Sequence, residues 1–333
     1  MDFFVEGICE KMCTEKEINL RIREKLVHFF EKNPKTGGVD KARMVRAFAR
    51  SAAGKECTAR DLRTVSALKQ TVSYLLTEIL PDKRKPFHEV FDFIFDRMRS
   101  VRQEIVMQNI SPIDTLALIE PMIFFMVYSR YRLCEEPLMN FDPKICRQHM
   151  IECVQTALVC YDESHERLEN RPIVESVYLL ANLGNQDALR RGLSVFERLH
   201  HSSVFLTAFK MSLYSWKGNY YRTLAMWSDL PTICCLAAAE KIPDIRGKLL
   251  ETFSVSYHSR QLTVPLAWLQ KILRYGDRCH LEQDLRRCSV EIVNRTDARF
   301  DKAAFDKRGK ILLHSHEAIV EEKLTAEPLA FPI

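Results

Sequence analysis

The chain has 333 residues and 47% hydrophobic side chains, enough for a sizeable core, which excludes a globally disordered protein. Its ten glycines, about 3% against a usual ~7%, are too few for a glycine-rich nucleotide-binding fold or a turn-dense β-sandwich. The net charge of +5 is too mild to demand a nucleic-acid partner, yet the surplus sits at the ends: 21 basic against 16 acidic side chains over residues 1–110, and 11 against 7 over residues 261–310.

From Glu15 to Glu31, apolar Ile18, Ile22, Leu26, Phe29 and Phe30 recur at spacings of three and four and predict one helix, ended by the loop at residues 33–38. Asp40 is expected to cap a short helix to about Ala52, closed by Gly54. Thr58 and Asp61 resemble a capping box that opens a helix to Leu80 before Pro81. Pro86 to Asn109 reads as a long helix, and Ser111-Pro112 caps the next, to Cys134. Asp142-Pro143 starts another, in which Cys146, Cys153 and Cys160 recur every seven residues. That spacing sets neighbouring thiols about 10 Å apart along the axis, too far to share a metal, so they predict a buried stripe. Helices follow at about 171–183, 186–200, 203–217, 219–229, 231–240 and 242–257. Short helices with tight connections suggest antiparallel pairs stacked as an α-solenoid, without a strict repeat.

After Gln261 the pattern changes. Val264 to Tyr275 and Leu281 to Cys288 read as helices, and residues 289–293, 298–300 and 310–314 as strands, from their alternation and β-branched content. Two helices followed by a β-ribbon outline a winged helix. The expected fold is all-α: a helical-repeat, PCI-like α-solenoid with a C-terminal winged-helix subdomain. Its expected parts are an N-terminal helical region (1–110), a helical array (111–260) and the winged helix (261–333).

The chemistry is mostly negative. No G-x-S-x-G, G-x-x-x-x-G-K-[ST], G-x-G-x-x-G or H-E-x-x-H motif occurs, so an enzyme is not expected, nor a cofactor or a small-molecule substrate. Cys9-x3-Cys13 lacks a second Cys/His pair at zinc spacing, and no metal is expected; an enzyme using these thiols and a histidine is the remote alternative. His200-His201 and His314-x-His316 read as solvent-facing. The cysteine count is odd, the first residues lack the features of a signal peptide, and no apolar run approaches the ~18 residues of a membrane span, so free thiols in a reducing compartment are expected. Candidate phosphate contacts are Arg286, Arg287, Arg295, Arg299, Lys302, Lys307, Arg308 and Lys310, with Phe300 and Phe305, the available aromatics, read as core. Arg43, Arg46 and Arg50 are expected on one helical face, and Arg97, Arg99 and Arg102 are packed into another helix. Asp61, Asp92, Asp96 and Glu104 interleave with them, so interhelical ion pairs or partner contacts are the two readings.

Several segments, in order, resemble one family. Residues 7–17 (G-I-C-E-K-M-C-T-E-K-E) are similar to the G-T-C-x-x-M-C-P-E-K-E opening of the GANP family (Sac-three in yeast), departing at Ile8 and Thr14. Residues 50–54 (R-S-A-A-G) with Asp61-Leu62-Arg63, the helix from Phe93 to Glu104 (F-x-x-D-R-x-R-x-[IV]-R-Q-[DE]), and residues 210–220 match further elements. The resemblance implies an mRNA-export scaffold of PCI type, paired with a second PCI-domain subunit and a small acidic subunit, with sequence-independent RNA binding through the winged helix. It implies a nuclear address, also cytoplasmic or centrosomal, and no membrane. The chain opens at the conserved region and stops soon after the winged helix, so a short member without nucleoporin-like repeats or a downstream recruiting helix is expected. Short members suggest the alternative, a centrosome- or spindle-associated interaction protein without RNA binding.

Overall fold

The computed structural model describes residues 4–49, 58–164 and 168–333. Helices dominate, and contacts divide the chain into two compact units. The first comprises residues 1–129, 136–167 and 331–333, and the second Arg130–Glu135 and Leu168–Ala330. Helices 112–129 and 143–163 thus lie in the first unit, and residues 261–330 lie within the second, where the sequence reading drew boundaries at 110 and 260.

The first unit starts with α1 (Glu15–Arg23), capped by Thr14. This helix is shorter than its apolar spacing predicts. Lys25 adopts φ 56°, which breaks the helix, and Phe29–Glu31 form a separate 3-10 turn capped by His28. Asp40 caps only the 3-10 turn Lys41–Arg43, after which residues 44–49 form no helix or strand, so Arg43 and Arg46 do not share a helical face. Arg50 and the rest of R-S-A-A-G lie outside the described residues. The Thr58–Asp61 box closes a 3-10 turn, Ala59–Asp61, and the helix itself, α2 (Val65–Tyr74), is capped by Thr64 and continues as a π-helical turn, Leu75–Ile79. The helix α3 (Phe87–Gln108) ends on left-handed Asn109, and α4 (Pro112–Arg132) and α5 (Pro143–Glu163) follow. By length and composition α4 could cross a bilayer, which the sequence reading missed; 72% of its most apolar window is buried inside the protein, as in a core helix. Cys146, Cys153 and Cys160 are all buried, as their stripe predicts, and burial pushes the Cys153 thiol up to about 11.

The second unit is an array of short helices: α6 (Arg171–Ala181), α7 (Gln186–Ser194), α8 (Phe196–Leu199), α9 (Ser203–Trp216), α10 (Tyr220–Ala225), α11 (Thr232–Ala238) and α12 (Ile242–Ser256). Here α6 packs on α9 and α11, and α10 on α9 and α12. Then come β1 (Val264–Pro265), α13 (Leu266–Leu273), α14 (Arg278–Arg287), β2 (Glu291–Val293), β3 (Asp297–Arg299) and α15 (Ala318–Ala326). The strands form an antiparallel sheet of order β1-β3-β2, with Val264 opposite Ala298 and Glu291 opposite Arg299. Two strand expectations change. Residues 310–314 make no ladder, and the third strand is Val264–Pro265, read from sequence as helix; Pro265 lacks the N–H an interior helical turn would use and instead caps α13.

Candidate nucleic-acid interface

Of the predicted cations, one set gathers around α14. Asp277 caps its start by accepting from Cys279 N (2.8 Å), and Arg286 and Arg287 occupy its last turn, where positive charge suits the helix dipole. Along the exposed face Glu282 receives Arg278 (2.8 Å) and Arg286 (3.2 Å). Beyond α14, Asn294 (φ 52°) and Arg295 (φ 61°) are consecutive left-handed residues, closed by Thr296 N donating to Val293 O (3.2 Å). The register pairs Val293 with Asp297, so the hairpin loop is residues 294–296 and Arg295 stands at its exposed tip. The guanidinium of Arg278, a residue the sequence reading passed over, donates to the Arg295 carbonyl and ties α14 to that turn.

Residues 305–313 form a strap over the other end of α14. Asp306 N donates to Cys288 O (3.0 Å), and Gly309 passes so close that a Cβ there would lie 2.2 Å from the Arg287 carbonyl oxygen. Only glycine fits, and the approach sets Lys307, Arg308 and Lys310 beside Arg286 and Arg287. The eight helical steps from Arg278 to Arg286 span about 12 Å, so the hairpin tip and the strap mark the two ends of the helix. The strap's far end is fixed by Glu135, which accepts from Ser315 N (3.1 Å) and pairs with His314 (3.1 Å). Burial pushes the Glu135 carboxyl up, but these hydrogen bonds outweigh it and hold it below the ordinary range.

Beneath lies a buried network that the sequence reading also missed. The Arg246 guanidinium, fully buried, grips Glu317 with two bonds of 2.9 Å and donates to Leu273 O (3.0 Å) and Arg274 O (2.9 Å). It lies 3.7 Å from the centroid of the Tyr275 ring, whose hydroxyl donates to buried Asp284 (2.7 Å). Asp284 in turn receives Arg287 (2.7 Å). So α12, α13, α14 and the start of α15 are locked together under the basic surface.

Most candidate cations have a carboxylate partner: Arg286 with Glu282, Arg287 with Asp284, Arg299 with Glu291 (3.3 Å), Lys307 with Glu251 (2.7 Å) and Arg308 with Asp306 (3.9 Å). Among the described residues Arg295, Lys302 and Lys310 have none, and all three are exposed. Lys302 lies by His258, whose Nδ1 accepts from its amide (3.2 Å), while Arg299 sits in the sheet. Hydrogen bonds from Lys307 and Lys248 hold the Glu251 carboxyl below its ordinary range. Phe300 is core, as read; Phe305 is half-buried.

The N-terminal arginines are mostly spent internally. Glu104 pairs with Arg46 (3.0 Å) and with fully buried Arg63 (2.8 Å), and Arg63 also donates to Ser100 Oγ (2.9 Å) and Met12 O (3.3 Å). Buried Glu31 pairs with Arg21 and with Arg97 (3.3 Å) and accepts from Val45 N (3.2 Å). Arg102 meets Glu152 (3.0 Å), Arg99 stacks over Phe48 (3.9 Å), and Arg43 lies over Tyr74 (5.6 Å). Gly7 crosses the Leu62–Arg63 backbone at a distance that leaves no room for a Cβ. The charged residues of the Phe93–Glu104 helix thus hold one interior together, whereas of the charges in residues 7–17 only Glu17 reaches inward, accepting from Ala47 N (2.9 Å). Among the described residues no group of three or more His, Cys, Asp or Glu is placed to hold a metal, and burial pushes the Cys13 thiol up to about 12.

A profile described as the SAC3/GANP family matches residues 12–294. The chain is 29% identical over 219 residues to SAC3 family protein 1 of Schizosaccharomyces pombe (64% of this chain, 21% of that protein). It is 32% identical over 168 residues to Protein xmas of Drosophila melanogaster (47% and 8%), and 30% over 130 residues to SAC3 family protein B of Arabidopsis thaliana (39% and 8%). The chain therefore spans about a fifth or less of the length of the curated relatives it matches.

Proposed function

The chain belongs to the SAC3/GANP family, and from that premise we propose that it is a non-enzymatic scaffold of a PCI-type, nuclear mRNA-export complex with sequence-independent RNA binding. Its α-solenoid supports this reading, since helical arrays offer extended surfaces to partner subunits. The proposed partners are a second PCI-domain subunit and a small acidic subunit. Residues 264–299, in the order β–α–α–β–β, support reading the C-terminal part as a winged helix with α14 in the recognition position. The observation that carries the RNA contact is the row of exposed cations from the hairpin tip to the strap, with Arg295 and Lys310 unpaired among the described residues. The exposed ion pairs beside them cost little to exchange for phosphate, because such pairs contribute only about 0–1 kcal/mol.

The test is an Arg286→Glu/Arg295→Glu/Lys310→Glu triple variant. Arg287 is left intact because reversing it would set two carboxylates at buried Asp284. Each phosphate contact contributes about −0.7 to the slope of log affinity against log salt for single strands, so the variant should bind more weakly with a slope flatter by about 2. Unchanged affinity and slope would refute RNA binding by this face. Co-purification identifies the complex: a PCI-domain subunit supports export, whereas tubulin-associated proteins in its place support the centrosomal alternative.

A further inference from the structure

We propose that the turn between α9 and α10 is a stacking platform for the unpaired bases of single-stranded RNA, feeding the strap groove that holds its phosphates. The proposal rests on the RNA-binding reading above and names what that reading leaves open: an unpaired strand, read by its bases as well as its charge.

Trp216 and Tyr221 flank the tight turn at residues 217–219 and are 50% and 52% exposed. A half-exposed tryptophan forgoes hydrophobic burial, and two large rings bared within six residues form a surface that suits a partner with π-faces. Beside them Arg222 lies over the Tyr214 ring at 5.4 Å and donates to its hydroxyl (3.4 Å), which adds a flat, cationic edge. The stretch is chemically one-sided. Residues 198–228 contain Arg198, Lys210, Lys217 and Arg222 and not one aspartate or glutamate.

The same turn opens into a groove. Ser215 and Tyr220 line one wall of a cavity of about 1060 Å³, and α12 and the strap line the others, where Lys248, Lys307, Arg308 and Lys310 stand among the carboxylates of Glu135, Asp244, Glu251 and Asp306. In that trough Lys310 has no carboxylate partner among the described residues, and Lys307 and Arg308 sit in surface ion pairs that exchange for phosphate at little cost; with the rings of the adjoining turn, these are the two parts a single strand needs, a track for phosphates and faces on which bases stack regardless of sequence. A duplex hides its base faces and would use only the cations. A protein partner could cover the rings, but nothing in this acid-free stretch would favour one over a polyanion.

The experiment uses the whole chain and three fluorescein-labelled probes of equal length: an oligouridylate, an abasic strand and a hairpin duplex. Trp216→Ala and Tyr221→Ala should each weaken oligouridylate binding about 5- to 150-fold, leave the salt slope unchanged, and leave abasic-strand binding untouched. Trp216→Phe, which keeps a ring, should restore most of the loss. If both ring variants bind oligouridylate like the wild type while the triple charge variant loses it, the platform is refuted and the phosphate reading stands. If neither the ring nor the charge variants change binding, both fail. Ring variants that keep RNA affinity but lose a co-purifying protein subunit would make the turn a protein contact, which also refutes the platform.

Discussion

Removing the carboxylate of Glu317 should unlock the second unit more than any surface change. Its side chain is 4% exposed and supplies two of the four hydrogen bonds made by the Arg246 guanidinium, which has no access to water. In Glu317→Ala the cation stays buried with only the Leu273 and Arg274 carbonyls, and breaking one side of such a pair costs about 3–5 kcal/mol. Arg246→Met should cost a similar amount, because it strands Glu317 and both carbonyls. In Arg246→Met/Glu317→Ala no charge is stranded, so the double variant should be at least about 2 kcal/mol more stable than the sum of the two losses predicts. The assay is urea unfolding followed by tryptophan fluorescence. All three tryptophans, Trp216, Trp227 and Trp268, belong to the second unit, so the signal reports that unit even if the first unfolds separately. With a slope of about 1–3 kcal/mol per molar urea, Glu317→Ala should lower the midpoint by at least about 1 M. Losses that add within about 0.5 kcal/mol would refute the pair as a coupled buried unit.

Two other outcomes are expected. Gly309→Ala forces its Cβ onto the Arg287 backbone and should destabilise the second unit by about 1–3 kcal/mol and weaken RNA binding through Lys307 and Lys310, whereas Gly247→Ala, with only Ile311 Cδ1 at 3.9 Å, should be neutral or stabilise by up to about 1 kcal/mol; urea midpoints and anisotropy read both. In the first unit burial, then the cations Arg97 and Arg102, depress His28 and His149 below the ordinary histidine value, so each is neutral in the fold and takes up a proton on unfolding. Their stabilisation is present above the unfolded pKa of about 6.5 and is lost as pH falls below it. Protection factors of the α3 amides, taken relative to the intrinsic exchange rate at each pH, should therefore fall between pH 7.5 and 5.5, and less so in His28→Gln/His149→Gln; an identical pH response in that variant would sink the assignment.

What the sequence made legible follows from the reach of each signal. Helices with long apolar periodicity and a clear opening signal are local features: both bounds of α3, behind Pro86, were readable to within a residue, as was the start of α5, behind the Asp142 cap. The segment from Glu24 to Ala49 was misread because Ile18, Ile22, Leu26 and Phe30 keep helical spacing while Lys25 turns left-handed. Nothing local to Lys25 announces that, and the turn exists because it lets buried Glu31 meet Arg21 and Arg97. Residues 310–314 look like a strand for the same kind of reason: Ile311 and Leu312 have strand propensity, but the sheet edge is occupied by Val264–Pro265. Of the site, the cations were legible as residue types, and their division between the ends of α14 was not. Arg278 and Arg246 differ from their neighbours only in what lies across from them in space. Trp216 and Tyr221 had a readable signal that went unused, the absence of any carboxylate from 198 to 228.

The placement of the family motifs bears on what such a protein can do. In the Phe93–Glu104 helix, Asp96 accepts from Phe48 N (3.2 Å), Arg97 meets Glu31, Arg102 meets Glu152, Gln103 donates to Ala49 O (3.2 Å), and Glu104 holds Arg46 and Arg63. Nearly every polar group of the motif is therefore consumed internally: Asp96, Gln103 and Glu104 fix segments 44–49 and 61–64 against α3, Arg97 holds Glu31, and Arg102 reaches α5. Those segments have no regular ladder of their own, so side chains must supply the hydrogen bonds that a helix or sheet would supply to itself. These groups are engaged within the unit. The motif specifies the shape of an irregular surface, which is what a scaffold needs, and it leaves the choice of ligand to residues outside the motif. On this argument, substitutions in the Phe93–Glu104 helix should act through folding of the first unit, while RNA contact should track Arg295, Lys310, Trp216 and Tyr221. A Glu104→Gln variant that folds with wild-type stability yet loses RNA binding would overturn that separation.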